Sequence, residues 1–240
     1  MRRLIITLFL FSCFMSAAHA DRNILWDKVH NQCEINYTLH GLYSPCTLVD
    51  ENNGYVFYKV DSDSYQYLLM PLAEITGVED PKLLAEDLPR YLYMAWWGRD
   101  LVSEKVGRTV KEKNIAITIN ALNSRSQDQL HLHISCLAPD VRTALDSVSD
   151  YSTRWAEFPQ PLKNITYNYR KITLDELKKV NLFKEIEEKV VADDKEMKYT
   201  TIALINLDHD NFLLLEASGD STTGIAAETL QDHTCAIAGS

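Results

Sequence analysis

The chain has 240 residues, 46% of them hydrophobic, with 24 Lys and Arg against 34 Asp and Glu and a formal net charge of −10. That length suits one medium domain or a core domain with an appendage, and it is ample to bury a core. The acidic balance argues against nucleic acid as a partner, and an anionic ligand has to be met by a local positive pocket, not by the general field.

The N-terminus opens with Arg2 and Arg3, runs through an apolar stretch from Leu4 to Met15 and reaches Ala17-Ala18-His19-Ala20. A basic start, a short apolar region and an A-x-A pattern at Ala18 and Ala20 describe a secretory signal peptide over residues 1–20, cleaved before Asp21. The alternative is an uncleaved N-terminal anchor, for which the stretch is shorter than the about 20 residues a spanning helix needs. A lipoprotein signal at Cys13 is opposed by the bulky Phe11 two residues before it. The four cysteines beyond this segment, Cys33, Cys46, Cys136 and Cys235, are even in number in a chain read as exported, and so read as disulfides. Three connectivities are open. The preferred one joins Cys33 to Cys46 around Pro45 and Cys136 to Cys235 over a long loop. Zinc has no C-x-x-C pair to support it.

Gly54 to Val60 has the aromatic and β-branched content of a strand, Asp61 to Ser64 reads as a turn, and Tyr65 to Met70 as the returning strand ended by Pro71. Residues 72–82 read as a loop punctuated by Gly77 and Pro81. Residues 82–106 read as helical with a break or restart at Pro89, Leu92, Trp96 and Leu101 forming a stripe widened by Tyr93 and Trp97. Ile115 to Ile119 is expected as a strand, Asn120 to Asp128 as a polar loop, Gln129 to Cys136 as a strand and Pro139 to Asp150 as a short helix. Pro159 and Pro161 mark a boundary between a core domain, 21–158, and a C-terminal extension, 159–240. Beyond it, Thr173-Leu174-Asp175-Glu176 matches a capping box opening a charged helix. Thr200 to Leu207 and Phe212 to Glu216 make a hairpin around Asp208-His209-Asp210-Asn211, and a last helix spans Ala226 to Asp232. The acidic run Glu185 to Glu196 is most simply a solvated helix and loop. Together these elements give an α+β fold with a mostly antiparallel sheet and packed helices.

The segment that carries chemistry runs from Asn123 to Cys136. Side chains alternate across a strand, so Gln129, His131, His133 and Ser135 share one face while Leu130, Leu132, Ile134 and Cys136 share the other. Two chemistries use such a face. An H-x-H pair can hold a metal but normally needs a third ligand, for which His209 and His233 are the available donors. Alternatively, a neutral imidazole attacks phosphorus while neighbouring donors stabilise the phosphoryl oxygens.

The alternating His-φ-His strand after a polar loop resembles the histidine-triad superfamily of nucleotide hydrolases and transferases. Further blocks make the chain more closely similar to the bacterial CDP-diacylglycerol pyrophosphatases: Ser44-Pro45-Cys46, Gly54-Tyr55-Val56, Gln66 to Pro71, Ile119-Asn120, His131 to Cys136, Pro139 to Arg142, Arg154-Trp155, and Gln231-Asp232-His233 leading to Cys235. The resemblance implies a histidine-triad-like fold. It implies a hydrolase of phospholipid metabolism that splits CDP-diacylglycerol to CMP and phosphatidate without a cofactor or metal, at a membrane surface on the periplasmic face of the inner membrane.

The triad's central, nucleophilic histidine falls on His131 and the third, which donates to phosphate, on His133. The first falls on Gln129, a departure that puts the usual orientation of the nucleophile in doubt. A shifted register, with His133 central and Ser135 third, stays open. The preceding loop resembles the family's phosphate-binding loop, with Asn120, Arg125 and Gln127 as candidates. Arg142 and Arg154 could meet phosphate, although salt bridges on an acidic surface are the commoner explanation. Tyr91, Tyr93, Trp96 and Trp97 read first as helix packing and secondly as a wall for acyl chains or the base. The rival to the enzyme is a periplasmic metal- or ligand-binding protein built on the His131/His133 strand.

Overall fold

A computed structural model describes residues 21–239, so the expected signal segment lies outside the described residues. The chain begins with a helical stretch that sequence reading did not anticipate: α1 (Ile24–Asp27), a π-helical segment Lys28–Glu34, and α2 (Ile35–His40). Strands β1 (Leu48–Asp50), β2 (Tyr55–Lys59) and β3 (Tyr67–Pro71) follow, then α3 (Tyr91–Trp97) and α4 (Arg99–Val106). Next come β4 (Ile115–Ile119), β5 (Leu132–Cys136), α5 (Pro139–Asp146), β6 (Ala156–Glu157) and β7 (Asn168–Thr173). The chain continues through α6 (Leu174–Lys179) and α7 (Leu182–Ala192) to the hairpin β8 (Thr200–Asp208) and β9 (Asn211–Ser218).

Among the described residues nine strands join one sheet in the order β1-β2-β3-β5-β4-β8-β9-β7-β6, with antiparallel pairing throughout. The sheet runs straight across the boundary expected near residue 158, because β4 pairs with β8 from Ala116–Ile205 to Ile119–Ile202. Among the described residues no helix is long and apolar enough to cross a membrane.

The two-residue period of the strands builds two faces. One face, with Phe57, Leu69, Ile117, Ile134, Leu204 and Leu214, is covered by α3, α4, α6 and α7 in the largest apolar cluster. The opposite face carries two smaller clusters. At one end Val29 and Cys33 of the N-terminal helical stretch pack on Val56, Tyr58, Leu68 and Met70. At the other, Val141 and Leu145 of α5 pack with Ala203, Ile205 and Leu215. His133, paired in register with Leu68 on one side and Thr118 on the other, lies between them.

Several expected elements are shorter than their pattern suggests. The strand expected from Gln129 pairs only from Leu132, because Leu130 N–H donates to Ile75 O at 2.6 Å and draws residues 129–131 towards the loop after β3. The helix expected over 82–106 is a 3-10 turn at Pro81–Leu84 followed by α3 and α4, jointed at Gly98. A Cβ there would stand 2.6 Å from Phe57 Cε1 and 2.7 Å from Ile134 Cδ1, so the joint needs glycine to lie on the sheet. Tyr91 and Trp96 are buried in the cluster under these helices, on the sheet face away from the histidines, with Tyr93 partly buried against it, whereas Trp97 is exposed; none of the four lines the histidine face. The capping box forms at Thr173 and Glu176, and the charged helix stops at Val180 and restarts under an Asn181 cap. The expected last helix is a single 3-10 turn, Ala227–Leu230. Its flanks bond to the chain around β5 instead: Ala138 N–H donates to Leu230 O and Asp232 N–H to Cys136 O. The C-terminus is therefore a strap that passes from the histidine face to the helical face.

Both disulfides are present, Cys33–Cys46 across 13 residues and Cys136–Cys235 across 99. Chain-entropy models credit loops of these lengths with about 3 and about 5 kcal/mol. Replacing Cys136 and Cys235 together by Ala should lower stability by roughly 2–5 kcal/mol, and the Cys33/Cys46 pair should cost less. Urea denaturation of the oxidised variants measures both, and an equal or reversed ranking would contradict the loop-length argument.

Candidate active site

Beside the apolar cluster around Val29 and Cys33 on the histidine face lies an open cavity of about 390 Å³. His131 and His133 form part of its floor, with Leu68 and Gln66 beside them. Tyr58, Val60, Asp61 and Ser62 form one wall, Ile24, Leu25 and Lys28 another, and Ser126 and Gln127 a third.

The histidine rings sit 4.9 Å apart, edge to face. His131 Nδ1 is 2.6 Å from the carbonyl of Gln129. A carbonyl can only accept, so Nδ1 carries the proton and Nε2 keeps its lone pair. Burial, and then the neighbouring His133, push the His131 imidazole down to a pKa of about 3. The ring is therefore neutral, with a basic nitrogen unprotonated, at any pH near neutrality.

His133 meets a different environment. Its Nδ1 stands 3.2 Å from Glu228 Oε1, within ion-pair range but off the line of a hydrogen bond, and both ring nitrogens are buried without a hydrogen-bond partner. Glu228 is a residue that sequence reading missed. Gln66 Nε2 donates to its Oε1 and Asn120 Nδ2 to its Oε2, each at 2.9 Å, and Glu228 N–H donates back to Asn120 Oδ1 at 3.2 Å. Burial alone would raise the Glu228 carboxyl, but His133, Gln66 and Asn120 outweigh it and hold the group well below the usual carboxylate range. Gln231, on the same strap, donates to the carbonyls of Ala116 and His133. The only signal for Glu228 in the sequence was its closeness to the Gln231-Asp232-His233 block.

The other candidates separate clearly. Gln129 is fully buried, and its Nε2 donates to Pro71 O and Ala73 O, so its side chain ties the loop after β3 while its backbone carbonyl holds His131. Asn120 is committed to Glu228, not to the cavity. Arg125 is buried with its guanidinium on Glu79 at 2.8 and 2.6 Å and on Asp128, so it braces two loops and does not line the cavity. A Cβ at Gly77 would fall 2.0 Å from Arg125 Nη1, so the brace requires glycine there. Gln127 does line the cavity, and it also grips the N-terminal chain through Asp21 O and Leu25 N. Arg142 pairs with Asp146 and, like Arg154, lies outside the lining. Of the possible third metal donors, His233 is paired with Asp63 and His209 lies in the β8–β9 turn. Among the described residues no three His, Cys, Asp or Glu side chains converge on one point.

A nine-stranded antiparallel sheet with packed helices, in which His133 of β5 and His131 just ahead of that strand open on a cavity at one face, makes this an α+β protein. The chain belongs to the CDP-diacylglycerol pyrophosphatase family, a family of hydrolases whose pattern it matches over residues 20–239. It is 45% identical over 220 residues to the CDP-diacylglycerol pyrophosphatase of Mycobacterium bovis, covering 91% of this chain and 84% of that one. The probable CDP-diacylglycerol pyrophosphatase of Mycobacterium leprae is 43% identical over 221 residues, covering 91% and 82%. A DUF4931 family protein from Bacillus cereus gives a loose structural likeness, with a TM-score of 0.47 at 10% identity, covering 72% of this chain and 84% of that one.

The depressed His131 pKa has a consequence for stability. The unfolded chain takes up its imidazole proton near 6.5 and the folded protein only near 3, so the unfolded state binds more protons between them. This contribution is complete above about 6.5 and is lost as pH falls through the window. Glu228, depressed from 4.5, adds a loss in the same direction at lower pH. His131→Asn should therefore flatten the fall in stability between about pH 6.5 and 4.5, read from urea denaturation at a series of pH values. An unchanged slope would mean that His131 titrates normally in the folded protein.

Proposed function

We propose that this protein hydrolyses the diphosphate of CDP-diacylglycerol to CMP and phosphatidate with His131 as the nucleophile. The observation that carries the mechanism is the His131 Nδ1–H bond to the Gln129 carbonyl, which leaves Nε2 as an unprotonated base at the cavity floor. The substrate follows from the family and from the names of its relatives.

In this reading His131 Nε2 attacks the cytidylyl phosphorus. The bond from that phosphorus to the bridging oxygen breaks, and phosphatidate departs with the electron pair. The imidazole becomes a positively charged nucleotidyl adduct, stabilised by the Gln129 carbonyl still bonded to Nδ1–H. His133, held beside Glu228, donates to the phosphoryl oxygens as charge redistributes. Water then attacks the adduct, the nitrogen–phosphorus bond breaks, and CMP leaves with a water-derived oxygen. Gln129 serves through its backbone, so the side chain at the first triad position does not need to be histidine for the nucleophile to be oriented.

The acyl chains of such a substrate stay with a bilayer while the headgroup enters the cavity, and we place the protein in the cell envelope at the periplasmic face of the inner membrane. The rim residue Ile24 is exposed, and so are Ile35 and Leu39 along the same helical stretch and Leu42 and Tyr43 just past its end. These are better placed for lipid contact than Tyr91 to Trp97, which lie on the far face of the sheet. Protein lacking residues 1–20 should float with liposomes, and a Leu39→Asp/Leu42→Asp variant should float less. Equal flotation of the two would remove this surface from the account.

His131→Asn should abolish turnover, whereas His133→Asn should slow it by roughly 10²–10³-fold while still forming an intermediate. Acid-quenched intact-mass analysis during turnover should find a nucleotidyl adduct on the wild type and on His133→Asn, and none on His131→Asn. In oxygen-18 water the label should enter CMP and not phosphatidate. An adduct mapped to His133 would favour the shifted register, and an active His131→Asn variant without an adduct would sink the histidine mechanism.

A further inference from the structure

A diphosphate brings negative charge into a cavity on an acidic protein, and that charge needs a cation. The loop candidates do not supply one. Arg125 is occupied by Glu79 and Asp128, and Arg22 by Asp128 at 2.7 and 2.8 Å. Among the described residues that line the cavity, one Lys or Arg remains, Lys28, at the start of the π-helical segment. Its neighbours hold it loosely. Nζ lies 3.8 Å from Asp61 Oδ2, on a carboxylate that is 82% exposed, and 4.6 Å from the centre of the Tyr58 ring. Both Asp61 and Tyr58 also line the cavity. The side chain itself is only 18% exposed, so its ammonium is kept against the cavity wall and not swept into bulk water.

We propose that Lys28 is the residue that binds the diphosphate, taking a non-bridging phosphate oxygen in place of its loose contact with Asp61. The assignment rests on the reading that this cavity receives a nucleoside-diphosphate lipid, and it adds a binding group on an element outside the histidine strand. The Tyr58 ring keeps the ammonium in position by a cation–π contact that survives the change of partner. The long, flexible stem lets Nζ move from carboxylate to phosphate without backbone movement. Asp61 acts as the anion that the substrate displaces, so it sets how readily the lysine is released. His133 and Lys28 would then meet the diphosphate from floor and wall, while His131 supplies the nucleophile.

The test uses two probes that separate charge from shape, inorganic pyrophosphate and uncharged cytidine, with binding measured by calorimetry on the unliganded protein. Lys28→Met should weaken pyrophosphate binding by about 10–100-fold, the loss expected for one charge-assisted hydrogen bond. It should leave cytidine binding within twofold and raise KM for CDP-diacylglycerol in mixed micelles more than it lowers kcat. Lys28→Arg should restore most of the pyrophosphate affinity. Asp61→Asn should tighten pyrophosphate binding, because the competing anion is gone. Pyrophosphate binding unchanged in both Lys28→Met and Asp61→Asn would overturn the proposal, as would an equal loss for both probes in Lys28→Met. A misfolded Lys28→Met leaves Asp61→Asn and Lys28→Arg to decide. Because binding is read without turnover, failure of the histidine mechanism would show in the adduct experiment and leave this result standing.

Discussion

The histidine site is organised around one half-buried carboxylate, Glu228. A charge taken partly out of water needs compensating partners, and Glu228 draws its partners from three parts of the sheet. Gln66 comes from the turn into β3, Asn120 from the end of β4, and His133 from β5. The strap that carries Glu228 is anchored on the opposite face by Cys136–Cys235, and Cys136 belongs to the same strand as His133. The disulfide clamps the tail behind the sheet, and the same strap reaches round to the histidine face. Fixing one end of the strap fixes the environment of the other.

A second consequence is that two histidines two residues apart, one in β5 and one just ahead of it, with ring centres 4.9 Å apart, have distinct chemical surroundings. His131 is desolvated and bonded to a carbonyl, which selects a single tautomer, whereas His133 faces a carboxylate. Environments that differ over so short a distance are how a protein assigns different roles to like groups. Local sequence supplies the pair, and the nearby Gln129 carbonyl and the remote Glu228 differentiate them.

That division explains what could be read from the sequence. The face shared by His131 and His133, the apolar back of β5, the capping box at Thr173 and the hairpin β8–β9 all rest on local periodicity or local turn chemistry, and they were legible. Disulfide formation was legible from the even cysteine count, and of the three open connectivities the preferred one is the one present. Arg125 illustrates the opposite case. A solvated polar loop and a buried brace look alike until Glu79 arrives from another loop. Glu228 and Lys28 were invisible for the same reason, since each acquires its meaning from groups far along the chain. The short strands β1 and β6 are edge elements of 3 and 2 residues, too brief to show a period. The N-terminal helical stretch buries only Val29 and Cys33 along its π-helical middle, too few apolar positions to show a stripe in the sequence.

The grip of Gln127 on Asp21 and Leu25 fixes where the chain enters the fold, at the lip of the cavity. Whatever precedes Asp21 in the chain is therefore delivered to the mouth of the cavity. The wall formed by Ile24, Leu25 and Lys28 lies between that grip and the Cys33–Cys46 staple, so it is pinned at both of its ends. A wall pinned in this way keeps its shape whatever is attached ahead of it, and the geometry of the cavity is independent of the chain before Asp21.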